Sequence, residues 1–258
     1  MPSEDLSLWI SALAELGGQR VWSLLVSVFG DLARDEGASV DGPVLSDIMT
    51  AMGVRPEATR VALHRLRKDG WITSAKSGRI SRHSLTAYGR KETIAASGRI
   101  YAKPADFTED WQVIITDGTE ARDHLRVAGF VQLSPRVYAG SATAKAPVGT
   151  LILTGDTVPD WAKNAILPER LIREYQALYT QLETISTAAD PALDMPPLER
   201  AVLRCLLVHT WRRLLLRHPE LPPALCPEGW KGHECRRLVT QLLTRISRPS
   251  LSELGAGR

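Results

Sequence analysis

The chain has 258 residues, 44% hydrophobic and 24% charged, the composition of a soluble globular protein with length for one to three domains. No window approaches the roughly 18 to 20 uninterrupted apolar residues of a membrane helix, and the opening MPSEDLSLWISALAEL is acidic rather than signal-like, so the cytoplasm is the expected location. The net charge of +3 hides an asymmetry: residues 1–54 hold 2 Lys and Arg against 8 Asp and Glu, residues 55–103 hold 12 against 3, and residues 104–258 hold 18 of each. The whole excess lies in one block, the footprint of a surface that neutralises phosphates.

In chain order, Leu6, Trp9, Ile10, Leu13 and Leu16 recur at helical spacing before Gly17-Gly18, predicting an amphipathic helix over 1–18 that packs onto the body. QRVWSLLVSVFGDLARDEG predicts a second helix, with Trp22, Leu25, Val26 and Phe29 on one side and Gly37 as its stop. DGPVLSDIMTAMG is a short helix with Pro43 near its start and Gly53 at its exit, and another helix runs from Pro56 to Gly70. Two short helices on a tight turn, the second one basic, outline a helix-turn-helix. WITSAK and RISRHSLT around Ser77-Gly78 add a hairpin wing, and a helix from Ala87 to Tyr101 closes a winged helix-turn-helix domain over 19–103. KPAD is the expected boundary.

From there the pattern alternates. WQVIITD, FVQLSPRVYAG and TLILTG are strand-like and TEARDHLRVAG is a short helix, which predicts a small ferredoxin-like domain over 106–165. Residues 166–258 are expected to form a helical C-terminal domain, with helices near 168–187, 197–217 and 232–246 and a frayed tail. The expected fold class is therefore α+β.

On the helix from Pro56, Ala58, Ala62 and Leu66 form a buried stripe with Val61 and Leu63 on its margins, and Arg60, His64, Arg67 and Lys68 lie opposite. Such a helix suits a major groove, where Arg bonds guanine in bidentate fashion. Thr59, Arg60 and His64 are the candidates for base contact, and Arg67 and Lys68 lie nearer the backbone. Arg65, beside the apolar stripe, is expected to brace the domain. Lys76, Arg79 and Arg82 flank the wing turn and can reach phosphates or the minor groove. A homodimer on a palindromic double-stranded DNA operator follows from the symmetry such readers use.

The stretches FGDLARDEG, RPEATRVALHRLRKDGWI, GRISRHSLTAYGR and GRIY, with WRRLLLRHPELPPALCPEGWKGHECRRL towards the other end, resemble the PaaX family of repressors. The family's R-x-x-L-x-R-L run falls on Arg60, Leu63, Arg65 and Leu66, its G-W on Gly70 and Trp71, and its wing glycine and arginine on Gly78 and Arg79. In the C-terminal motif the paired arginines are Arg212 and Arg213, and the W-x-G-x-x-x-R run is Trp230, Gly232 and Arg236. Ile80 stands where the family usually carries a second arginine. The resemblance implies a winged helix-turn-helix, a central domain similar to the small CRISPR-associated nuclease and a helical C-terminal domain. It also implies a repressor of phenylacetate or related catabolism, released by an acyl-CoA thioester such as phenylacetyl-CoA. His209, Arg212, Arg213, Trp230 and His233 could supply cations and an apolar slot for that effector.

Enzyme readings have less support, since no G-x-S-x-G, P-loop, HExxH or Rossmann glycine run is present. The competing reading is a metal-dependent nuclease centred on Asp117, or an acyl-CoA hydrolase, with an accessory DNA-binding half. Asp117 before Gly118 is more simply a turn residue. Cys205, Cys226 and Cys235 make no CxxC pair and read as free thiols. The spacing of His218, Cys226, His233 and Cys235 fits no standard zinc site. No cofactor or metal is expected.

Overall fold

Proline at helix starts and glycine at helix exits place most of the boundaries in the first hundred residues. In the computed structural model, which describes residues 4–18, 20–104, 110–120, 122–188 and 195–255, these become α1 (Glu4–Gly17), α2 (Val21–Leu32), β1 (Val40–Asp41), α3 (Gly42–Ala51), α4 (Pro56–Lys68), β2 (Ile72–Ser77), β3 (Ile80–Leu85) and α5 (Ala87–Ile100). There follow β4 (Trp111–Ile115), α6 (Arg122–Val127), β5 (Phe130–Ser134), β6 (Val137–Ser141), β7 (Leu151–Leu153), α7 (Asp160–Ile166), α8 (Glu169–Thr187), α9 (Pro197–Leu215), α10 (Gly232–Arg245) and α11 (Leu251–Gly255). The fold is mixed helix and sheet, with two small sheets, in the α+β class. Among the described residues no helix is long and apolar enough to cross a membrane.

The chain divides into two units that are not contiguous in sequence. One comprises Met1–Ala102, Thr180–Arg212 and Arg237–Arg258; the other comprises Lys103–Tyr179 and Arg213–Arg236. The stretch expected to be one helical C-terminal domain, 166–258, therefore contributes to both.

In the first unit, α2 turns Leu25, Val28 and Phe29 inward and α3 turns Leu45, Ile48 and Met49 inward. Beside them lie Leu6, Trp9 and Leu13 of α1, so the first helix packs onto the body as its periodicity predicts. Its exit is tight: a Cβ on Gly17 would lie 2.9 Å from the His209 ring on α9. Strands order as β1-β3-β2, all antiparallel. A buried ion pair ties α2 to α9. Arg204 donates to both oxygens of Asp31 at 2.6 and 3.2 Å and to the carbonyls of Leu243 and Ile246, while the Tyr101 hydroxyl donates to Asp31 at 2.7 Å. The tail corrects the expectation of fraying: α11 forms, and Arg200 reaches Glu253 at 3.0 Å while Arg248 reaches Asp35 at 3.4 Å. Only 256–258 lie outside the described residues there.

The second unit is built on a sheet of order β5-β6-β4-β7 with every neighbouring pair antiparallel. FVQLSPRVYAG divides at Pro135-Arg136 into β5 and β6, with Arg136 in the left-handed region at φ 66°. Helix α6 makes the crossover from β4 to β5, and Leu125 on it packs with Ile114, Phe130 and Tyr138. The KPAD boundary runs into 105–109, outside the described residues.

Candidate nucleic-acid interface

Arg55, extended at φ −66° and ψ 142°, precedes α4, and Pro56 occupies its first turn, where the missing N–H costs nothing. The buried stripe is Thr59, Ala62 and Leu66, at i, i+3 and i+7. This corrects the wheel. Thr59, expected to meet bases, is 5% exposed and its hydroxyl donates back to the Arg55 carbonyl at 3.4 Å. Val61, expected at the margin of the core, is 70% exposed. The core thus meets α4 on a line turned towards Thr59, and the solvent face presents Arg60, Val61, His64, Arg67 and Lys68. Arg60 lies 3.9 Å from Glu57, with both side chains largely in water, so its guanidinium is held weakly. Arg65 behaves as a brace: it lies 3.5 Å from Asp69 and stacks 5.4 Å from the Trp22 ring centroid.

β2 and β3 pair from Ile72↔Leu85 to Ser77↔Ile80, leaving a two-residue loop, Gly78-Arg79. Gly78 has φ 62°, and glycine at the first central position is the pattern whose twist matches a hairpin. Lys76 and Arg79 project into solvent at this tip. Arg82 is placed differently: its Nε donates to Asp41 at 2.9 Å, pinning β3 to β1. Behind the hairpin His83 is buried, with Nδ1 2.8 Å from Ser74 Oγ. Burial first, then the charge of Arg67, holds its pKa below the usual histidine value.

The five residues considered for an effector fall in different units and are engaged locally. His209 is 2% exposed; Nε2 donates to the Gly17 carbonyl at 3.1 Å, which leaves Nδ1 to accept from Ser27 at 3.0 Å. Arg212 reaches Ser23 at 3.3 Å, and burial pulls its pKa down. In the other unit, Trp230 packs 4.3 Å from the Tyr175 ring and His233 approaches the Cys226 sulfur at 3.8 Å. Arg213 is half-buried.

Among the described residues no group of three His, Cys, Asp or Glu side chains is placed to hold a metal. Of the residues weighed for zinc, His218 pairs with the Tyr175 hydroxyl at 2.8 Å and Cys235 donates to the Tyr175 carbonyl at 3.5 Å, while Cys226 and His233 lie 3.8 Å apart. Burial pushes the Cys226 thiol up to about 12. Asp117 accepts from the Thr119 N–H at 2.9 Å and its hydroxyl at 2.7 Å, which lowers its pKa and accounts for it as a turn residue.

Two concave sites stand out. One, of about 590 Å³, lies in the first unit between α1, α2 and the α3–α4 turn and reaches Ala58 of α4 and His209. The other, of about 580 Å³, lies in the second unit and collects four arginines: Arg122, Arg126, Arg170 and Arg217. No periodicity in the sequence marks them, because they come from three separate segments.

Residues 20–89 match the family described as PaaX-like protein, and residues 168–254 match the PaaX-like protein C-terminal domain. The chain is 26% identical over 257 residues to the transcriptional repressor PaaX of Escherichia coli (strain K12), covering 89% of this chain and 81% of that one. Among solved structures, an uncharacterized protein, Rv0674, from Mycobacterium tuberculosis superposes with a TM-score of 0.51 at 18% identity, over 91% of this chain and 97% of its own, a likeness of fold.

Proposed function

The chain belongs to the PaaX family of transcriptional repressors, not enzymes, and we propose that it represses by binding an operator through a winged helix-turn-helix. In this reading α3 and α4 are the helix pair and β2–β3 is the wing. The observation that carries it is the solvent face of α4, where Arg60, His64 and Arg67 follow one another at helical spacing above a buried Thr59–Ala62–Leu66 stripe. Arg60 and His64 are placed to meet base edges in a major groove, with Val61 beside them for a thymine methyl. Arg67, Lys68, Lys76 and Arg79 hold phosphates. Arg82, bonded to Asp41, supports the wing before it serves DNA.

Two copies on a palindromic site double the short footprint, so the active species is a homodimer, working in the cytoplasm where the DNA is. The middle of the chain is ferredoxin-like: the β5-β6-β4-β7 order and the β4-α6-β5 crossover support this, and 142–150 replace the second crossover helix. Release from DNA by an aryl- or acyl-CoA thioester completes the reading.

The test is fluorescence anisotropy on DNA from the region upstream of the chain's own gene. Arg60→Ala should weaken specific binding by about 1–3 kcal/mol and relax preference at one base position. Arg79→Ala should weaken specific and nonspecific DNA alike, lowering the salt slope by about 1. Equal affinity of the wild-type chain for that DNA and for scrambled duplex sinks the reading.

A further inference from the structure

The arginine cleft of the second unit has the composition of a ligand site. Arg122 and Arg126 stand one turn apart on α6, so their side chains lie on one face. Arg170 on α8 and Arg217 after α9 add two more guanidiniums. The one carboxylate in the lining, Glu174, serves both of the latter, accepting from Arg170 at 3.1 Å and from Arg217. Cations exceed anions by three within a cleft whose apolar lining includes the partly buried Val131 and Leu171. DNA needs no apolar concavity, and a cleft of about 580 Å³ falls in the size range of small-molecule sites.

We infer that this cleft seats a small molecule with an apolar acyl or aryl part and at least two phosphate or carboxylate groups, and that this molecule is the effector. The inference rests on the effector-release reading above and assigns it to residues other than His209, Arg212, Arg213, Trp230 and His233. Planar guanidiniums bind phosphate in bidentate fashion, so the Arg122–Arg126 pair takes one anionic group and Arg170 another. Arg170, largely in water, turns from Glu174 to a ligand phosphate at little cost, while the more enclosed Glu174 keeps its bond to Arg217. The apolar part then lies against Val131 and Leu171, which are only partly buried.

The experiment is isothermal titration of the full-length protein with hexanoyl-CoA, with CoA and with hexanoate, alongside displacement of operator DNA by the same compounds. Hexanoyl-CoA should bind in a salt-dependent manner, and hexanoate at least about tenfold more weakly. Arg122→Ala/Arg126→Ala, on an exposed helix face, should weaken the ester by about tenfold or more without changing the circular dichroism. Arg237→Ala, an exposed residue on α10, should leave binding unchanged. Equal affinity in the double variant and the wild type overturns the site and leaves the effector reading standing. Binding lost in the double variant, but with no displacement of DNA from the wild type, upholds the site and overturns its role in release. No binding of hexanoyl-CoA or CoA by the wild type overturns the inference.

Discussion

His83 links the β2–β3 hairpin to pH. It is buried on β3, bonded to Ser74, and close enough to Arg67 for that cation to oppose its protonation. Its folded pKa is lowered below 6.5. Between the two values the unfolded chain binds more protons, so the contribution to stability is complete above about 6.5 and is lost as pH falls through the folded value. Thermal melts at pH 7.5 and 5.5 should show the midpoint dropping on acidification, and His83→Gln should shrink that drop. His233 is shifted in the same direction, again mainly by burial, so the difference between variant and wild type is the quantity that isolates His83. At this scale the sequence was partly legible. Arg60, His64 and Arg65 behave as their wheel positions imply. Thr59 and Val61 exchange places because a wheel gives angles on a helix, not the line along which the core meets it.

Among the elements, α5 is the most informative about what local rules leave out. Its N-cap is ordinary: Thr86 accepts from the Gly89 N–H at 3.0 Å, and its hydroxyl also reaches the Gly70 carbonyl at 2.6 Å. Gly89 looks like a defect on propensity alone, since alanine in its place should favour the helix by up to about 1 kcal/mol. Yet a Cβ there would lie 2.2 Å from the Trp71 carbonyl oxygen, which is backbone and cannot step aside. Gly89→Ala should therefore destabilise by about 1–3 kcal/mol by overpacking. Gly98→Ala on the same helix meets nothing within 4 Å and should stabilise slightly. Urea midpoints of the two variants, moving in opposite directions, are the expected result; a shift in the same direction contradicts the close approach.

At the scale of the molecule, the first unit's core is assembled from segments far apart in sequence. Asp31 and Arg204 are separated by 173 positions, the Trp211 Nε1 donates to the Ile100 carbonyl at 3.0 Å, and the Thr210 hydroxyl donates to the Leu13 carbonyl at 3.2 Å. A fragment of residues 1–102 contains every element of the proposed DNA reader. It leaves Asp31 without its arginine and uncovers the apolar side of α1. Breaking one half of a buried pair costs about 3–5 kcal/mol, so the fragment should lose its cooperative thermal transition or show a much lower midpoint, and bind a hydrophobic dye that the full chain does not. A fragment that melts like the full chain contradicts this dependence.

The basic block, the order of helices around the Gly53 turn, the hairpin at Gly78 and the alternation after Asp110 were determined by the sequence itself. Helical period, turn chemistry and net charge act over a few residues and leave a local trace. Only the tertiary structure decided that α9 completes the first unit, that Thr59 faces inward, that Gly89 touches Trp71, and that Arg122, Arg126, Arg170 and Arg217 share one cleft. Each of these depends on contacts between segments tens to hundreds of positions apart, where burial and ion pairing act on proximity in space and leave no period in the chain.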